Sequence, residues 1–345
     1  MPSHVFVTGG AGFMGSNFVR YLMHSRPEIS VTNFDKLTYA GNPANLTEVA
    51  HNPLYRFVRG DIADAAAIER ALTTSELGPV DIIINYAAET HVDRSILEPR
   101  AFLETDILGT FTLLEAVRKH SIKKYVQVST DEVFGTTKTE FNEQHPFEPN
   151  SPYSASKAGG DLLCRAYHAT YKIPAIVTHS CNVYGPNQYP EKVIPLFVTN
   201  LIEGKKVPLY GDGQQVREWI YVRDHCRAIE KVMDRGLPGE IYNIGTRERL
   251  TNYTLTQLIL KYCGKDESMI EHVADRPGHD VRYAINPDKI KSQLGWQPQT
   301  KFDQGLMETV RWYQQHPEWW QPLKSGEYKN YYRQQYNNRT VKTTV

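Results

Sequence analysis

Three groups of side chains in this 345-residue chain have the types and spacing that reaction chemistry requires. Tyr153 and Lys157 stand four apart in Tyr153-Ser154-Ala155-Ser156-Lys157, which on a helix places them one turn apart on one face. An ammonium beside a phenol stabilises phenolate and lowers a pKa otherwise near about 10. Such a tyrosine can take a proton from a hydroxyl while hydride leaves the same carbon. Thr130-Asp131-Glu132 adds two acid/base groups, one to remove a C–H proton and one to protonate a leaving hydroxyl. Taken alone, the first pair also suits a surface helix and the second a solvated loop. The third group is Gly9-Gly10-Ala11-Gly12-Phe13-Met14-Gly15, with glycines Gly9, Gly12 and Gly15 at three-residue intervals. They allow a tight turn, a close approach of pyrophosphate to backbone, and close helix–sheet packing.

The elements that must carry these groups can be read from hydrophobic periodicity. His4 to Thr8 reads as a strand and Phe13 to Ser25 as a helix with Met14, Phe18 and Leu22 on one face. The glycines therefore lie between a strand and a helix, whose N-terminus offers N–H groups to phosphate. Strands are also predicted at Ser30 to Asp35, Tyr55 to Asp61, Asp81 to Tyr86, Lys124 to Ser129 and Ala175 to Thr178, and helices at Ala101 to His120 and Ser154 to Tyr171. This alternation is that of repeated βαβ units on a parallel sheet. Asp35 ends the second strand, where a carboxylate accepts both ribose hydroxyls of adenosine and repels a 2′-phosphate, favouring NAD over NADP. Asp61-Ile62, after the third strand, suits the adenine. After Asn182 the alternation breaks at Tyr184-Gly185-Pro186-Asn187, and a second lobe begins. Tyr242-Asn243-Ile244-Gly245 reads as a strand returning to the first sheet.

Composition narrows the function classes. Thirty-nine Lys and Arg balance thirty-nine Asp and Glu, so bulk charge draws the chain to neither nucleic acid nor anionic lipid. With 40% hydrophobic residues and no apolar run of membrane-spanning length, a globular protein off the membrane is expected. Cys164, Cys181, Cys226 and Cys263 lack CxxC spacing, which fits a reduced cytoplasm and no structural metal. The N-terminus shows no basic and apolar leader pattern. The aromatic, basic tail from Lys324 reads as a helix packing its tyrosines on the body rather than as a nucleic-acid arm.

With the glycine cradle, Ser129-Thr130 and Tyr-xxx-Lys together, nearly the whole chain resembles the extended short-chain dehydrogenase/reductase superfamily. Thr130-Asp131-Glu132, where epimerases of that superfamily carry small uncharged residues, looks like the dTDP-glucose 4,6-dehydratases. Asp35-Lys36-Leu37-Thr38-Tyr39-Ala40-Gly41, Ala87 through Ser95, Asp275-Arg276-Pro277-Gly278-His279-Asp280 and Lys324-Ser325-Gly326-Glu327-Tyr328 agree with that family. The resemblance implies an α/β fold: a Rossmann-type doubly wound parallel sheet with a smaller C-terminal substrate-binding lobe. It divides the chain into an NAD-binding domain at 1–182 with a return strand near 240–246, a nucleotide-sugar lobe at 183–330, and a tail at 331–345. It implies that Thr130, Asp131, Glu132, Tyr153 and Lys157 are catalytic. It places Phe13, Met14, Asp35, Lys36, Leu37, Thr38, Asp61, Ile62, Ala87, Ala88, Thr105, Tyr153 and Lys157 on NAD. For the nucleotide sugar it implies Thr90, Thr130, Asn182, Glu191, Lys192, Val193, Ile194, Pro195, Leu196, Pro208, Leu209, Tyr210, Arg217, Asn252, Asp275, Arg276, Pro277, Gly278 and His279. Arg217 suits the pyrophosphate, because a guanidinium matches phosphate bidentately.

Three positions depart from the family's commonest pattern: Asp106 for Asn, Val183 where bacterial members often place an Asn near the nicotinamide, and Phe134 for Tyr. The implied reaction is oxidation at C4, loss of water across C5 and C6, and hydride return to C6. A UDP-glucose 4,6-dehydratase, a nucleotide-sugar 4-epimerase and a non-catalytic NAD-binding module stay open as alternatives. A homodimer is expected from surplus apolar residues, Leu103, Leu113 and Leu114 on one long helix and Leu162, Leu163, Tyr167 and Tyr171 on the other.

Overall fold

The computed structural model describes residues 3–275 and 279–337. The strands are β1 (His4–Thr8), β2 (Ser30–Asp35), β3 (Tyr55–Arg59), β4 (Ile82–Asn85), β5 (Lys124–Thr130), β6 (Ala175–Ser180), β7 (Asn182–Tyr184), β8 (Val207–Tyr210), β9 (Val216–Tyr221), β10 (Ile241–Ile244), β11 (Arg249–Thr251) and β12 (Ile270–Val273). Seven of them form a parallel sheet in the order β10-β6-β5-β4-β1-β2-β3. The strands are apolar on both faces because helices cover both. Val5 and Val7 pack with Phe18, Val19 and Leu22 of the first helix, Phe13–Ser25. Phe6, between them, faces the other way, toward Leu113, Leu114 and Tyr125. The strand order reverses between β1 and β4, the crevice where open α/β sheets bind ligands. No helix among the described residues is long and apolar enough to cross a membrane.

The second lobe joins β11, β9 and β7 in one small sheet and β12 and β8 in another. Its core holds Ile194, Phe197, Trp219, Leu255, Leu306, Tyr313 and Trp320, and Tyr328, Tyr332 and Tyr336 of the tail pack against it.

Helix Pro152–Tyr171 starts where its sequence dictates. Pro152 occupies the first turn, and Ser151 and Ser154 form a reciprocal cap, each side chain accepting the other's backbone N–H. The other long helical segment differs from the uninterrupted helix expected over 101–120. Arg100–Phe102 and Thr110–His120 are α-helical, but Leu103–Gly109 between them is a π-helix. The widened turn tucks Asp106 inward against helix Pro152–Tyr171, where a Cβ at Gly160 would come within 2.8 Å of the Asp106 carbonyl oxygen. The surplus apolar stripe is also corrected. Leu113, Leu114 and Tyr167 belong to the core and Leu163 packs against it, whereas Leu103, Leu162 and Tyr171 of that stripe are exposed, as are Leu108 and Phe111 beside them.

Asp224, fully buried in helix Val222–Arg235, ties that helix to the loop at 296–300. Its carboxylate accepts the backbone N–H groups of Gln299 at 3.0 Å and Thr300 at 2.8 Å and pairs with Arg227. Asp224→Ala strands two donors, so the expected loss is about 2 kcal/mol or more, read as a lower urea midpoint by circular dichroism.

Candidate active site

The reactive groups lie at the carboxyl edge of the parallel sheet. After β1 the chain turns through Gly9, whose φ of 66° is left-handed, and enters helix Phe13–Ser25 with Gly12 as a cap that has no side chain. A Cβ on Gly15 would sit 2.3 Å from the Gly9 carbonyl oxygen, so helix start and turn are in backbone contact. The first-turn N–H groups and the dipole end then face a cavity lined by Gly9, Gly12, Phe13, Met14, Gly15, Asp35, Lys36, Thr38, Asp61, Ile62, Ala87, Ala88, Thr90 and Thr105. Asp35 is fixed by the N–H groups of Ala11 at 2.9 Å and Leu37 at 2.7 Å. Burial nonetheless pushes its carboxyl above the usual range, against those two donors. Lys36 pairs with Asp61 at 2.6 Å at the same end. Leu37 is absent from the lining; its left-handed backbone, φ 57°, delivers the N–H to Asp35.

The inner end of this cavity is walled by Ser129, Thr130, Asp131, Glu132 and Tyr153. Thr130 ends β5 and caps the short turn Asp131–Phe134, its hydroxyl accepting the Glu132 N–H at 3.2 Å. Asp131 is 1% exposed. Burial, then the charges of Glu132 and Glu218, push its carboxyl well above the ordinary range despite Arg217. Lys157 is buried one turn from Tyr153, with Nζ donating to the Val128 carbonyl at 3.0 Å. The depressed phenol expected from this pair is not found. Burial pushes Tyr153 well above its usual value, and Glu132 and Asp106 push it further.

A second cavity meets the first at Glu132, Asn182, Glu191 and Lys192. It is lined by Val193, Leu196, Pro208, Leu209, Tyr210, Arg217, Asn252 and His279. Arg217 is held by carbonyls, Nη1 on Val216 and Nη2 on Asp280, both at 2.9 Å. Asp275 accepts from Gln215 at 2.8 Å and meets His279 Nδ1 at 2.6 Å; it is exposed and lines neither cavity. Ile194 does not line the cleft: it faces inward and is fully buried in the second lobe's core, because helix Val193–Ile202 turns that face away. Its neighbour Pro195 lines neither cavity. Arg276, Pro277 and Gly278 lie outside the described residues.

Sequence reasoning missed several partners. Tyr283 donates to Asp280 at 2.5 Å, reaches Glu132 Oε2 at 3.4 Å, and carries the Arg217 guanidinium 4.2 Å above its ring. Tyr39 donates to Glu191 at 2.8 Å and lies under Arg94, which pairs with the same carboxylate at 2.9 Å. Glu89, in the first cavity, is pushed up to about 7 by burial and then by Asp106. Tyr39 and Glu89 stood inside the quoted motifs; nothing local marked Tyr283. Val183 lines the first cavity, and Phe134 is buried among Phe141, Phe147 and His179.

A doubly wound sheet bearing a glycine cradle, a helical Tyr-xxx-Lys pair and a second-lobe cleft defines an extended short-chain dehydrogenase/reductase. The family model described as GDP-mannose 4,6 dehydratase matches residues 6–309. A dTDP-glucose 4,6-dehydratase of Streptomyces niveus is 48% identical over 328 residues, 94% of this chain and 96% of that one. The crystal structure of a dTDP-glucose 4,6-dehydratase from Streptomyces venezuelae, solved with NAD bound, has 51% identity and a TM-score of 0.90 over 93% of this chain and 100% of that one. A UDP-glucose 4-epimerase from Thermus thermophilus, in complex with NAD, is similar at 31% identity and a TM-score of 0.83, over 91% and 99% of the two chains. The chain belongs to the dTDP-glucose 4,6-dehydratase family.

The cradle makes its own prediction. Gly15→Ala drives a methyl into the Gly9 carbonyl, so the protein should bind NAD about tenfold more weakly or worse, a loss of ~1.4 kcal/mol. Titration calorimetry measures it.

Proposed function

We propose that the protein is an NAD-dependent dTDP-glucose 4,6-dehydratase. The observation that carries this reading is the pair Asp131 and Glu132 beside Tyr153: two adjacent carboxylates, one buried and biased toward its acid form. A 4-epimerase has no use for such a pair, although the fold is shared with one.

The glycine cradle, the uncapped helix start and the fixed Asp35 fit a dinucleotide, with Asp35 turned to the adenosine ribose and Asp61-Ile62 to the adenine. NAD held there supplies the acceptor for hydride from C4 and returns that hydride to C6. Tyr153 takes the C4 hydroxyl proton, Lys157 supporting the phenolate, and Thr130 holds O4. The C5 proton, now next to a ketone, passes to Glu132. Asp131 gives its proton to the C6 hydroxyl, which leaves as water, and C5 is reprotonated as C6 receives hydride. The positive charge that oxidised nicotinamide would bring to this end of the cavity opposes the burial and carboxylates that raise the phenol. The second cavity takes the nucleoside diphosphate, with Arg217 and Asn252 at the phosphates and Tyr210 and His279 at the base. In this division 1–182 with the return strand is the cofactor domain and 183–330 the substrate lobe. The cysteine pattern suits a cytoplasmic enzyme.

The exposed Leu103, Leu108, Phe111, Leu162 and Tyr171 lie on the two long helical segments. Against a second copy they form a two-fold helical interface. Sedimentation at micromolar concentration should give twice the chain mass; a monomer defeats the dimer.

With dTDP-glucose the protein should form a 4-keto-6-deoxy product, faster than with UDP-glucose. Return of unchanged or C4-inverted sugar overturns the reading. Glu132→Gln should accumulate enzyme-bound reduced cofactor while product formation falls about 100-fold or more, the usual worth of a placed base. Full turnover in that variant removes Glu132 from the mechanism.

A further inference from the structure

Asp106 has no part in these proton transfers, yet it is enclosed beside them. It lies in the π-helix Leu103–Gly109 and is 1% exposed. Ser156 donates its hydroxyl to Asp106 Oδ2 at 2.7 Å and shares it with the Tyr153 carbonyl at 2.8 Å. The other oxygen, Oδ1, is buried without a close hydrogen bond among the described residues, and the Glu89 backbone N–H is the further donor that faces the carboxylate. A half-satisfied buried carboxylate is costly unless a charge compensates it. Facing it from helix Pro152–Tyr171 are Lys157, Asp161 and Tyr153, and from the loop after β4, Glu89. Lys157 is the cation of that set, and it stands one turn from Tyr153 on the same helix.

We propose that Asp106 is a positioning residue for the proton-accepting tyrosine: held by Ser156 against the Tyr153–Lys157 turn, its carboxylate competes for the Lys157 ammonium and so sets the pH at which Tyr153 ionises. An asparagine there keeps the acceptor for Ser156 and removes the charge. Burial pushes Asp106 up to about 6, with Lys157 and Ser156 holding it down. The charge at 106 therefore changes just below neutrality, and its ionised form opposes a phenolate at Tyr153. The consequence is a pH dependence of sugar oxidation set by a residue that touches neither sugar nor cofactor.

The inference rests on Tyr153 being the proton acceptor, and the test separates the two. In the NAD-loaded protein without sugar, tyrosinate absorbance is titrated, and the difference from Tyr153→Phe isolates the Tyr153 step. Asp106→Asn should lower that midpoint by about one pH unit, a roughly tenfold larger phenolate fraction below it. The limb of the rate profile for sugar oxidation should move with it. A midpoint unchanged from wild type in folded, NAD-loaded Asp106→Asn overturns the proposal. Unimpaired sugar oxidation by Tyr153→Phe would instead overturn the assignment of Tyr153.

Discussion

Desolvation of acid groups at one sheet edge is the constraint on which the rest of this structure depends. Asp131, Tyr153 and Asp106, far apart in sequence, are each nearly closed off from water and face one another at that edge. Water would otherwise screen and solvate them; here the surrounding backbone and a few cations must do so. Lys157 is tied to the Val128 carbonyl, Ser129 donates to Asp161 at 2.7 Å, and Asp161 meets His179 at 3.1 Å. These bonds tie helix Pro152–Tyr171 to β5 and β6, the elements from which Tyr153 and Thr130 come. The same burial that biases Asp131 toward its acid form biases Tyr153 toward its protonated form, so one environment favours the neutral state of both carboxyl and phenol.

The second lobe supplies what the sheet cannot. A parallel sheet presents its carboxyl edge to solvent, and a polar cleft there would be wet. The lobe roofs it through Glu191, which is 4% exposed and receives both Tyr39 and Arg94 from the first domain. Lys192, next in sequence, donates to the Thr90 carbonyl, so two consecutive residues of the lobe each reach across to the sheet side. Around that contact the two cavities join, and a nucleotide sugar lying across it would bring its hexose to Glu132 and its phosphates to Arg217.

Much of this was legible because it is local. The glycine cradle, Asp35 and the Tyr-xxx-Lys turn are each short segments whose backbone form follows from their own residues: glycines where helix and turn touch, serines and proline where a helix begins. Strand and helix positions followed from periodicity, with ends displaced by a residue or two, as at β3, which stops at Arg59 rather than Asp61. What was not legible depends on contacts between distant segments. The π turn at Leu103–Gly109 has a sequence that continues the helical apolar pattern; it forms because Asp106 and Ser156, fifty residues apart, bond across the helix pair. Leu113 and Leu114 looked like surplus because a helix facing both a sheet and a second helix has a wider buried face than a sheet alone would need. Ile194 was read as cleft-facing because the resemblance marked a contiguous run, whereas a helix exposes only part of any run to one side.

Tyr283 shows how far that non-local logic extends. It comes from a segment near residue 280 that returns to the sheet edge, where Asp280 also accepts Thr136 at 2.7 Å and Asn150 at 2.8 Å. One ring face supports Arg217, and its hydroxyl lies between Asp280 and Glu132. The phosphate-side guanidinium and the carboxylate assigned to the C5 proton are thus in contact with one side chain. Arg217 and Glu132 are therefore joined, across more than eighty residues of sequence, through a residue that no local pattern marks.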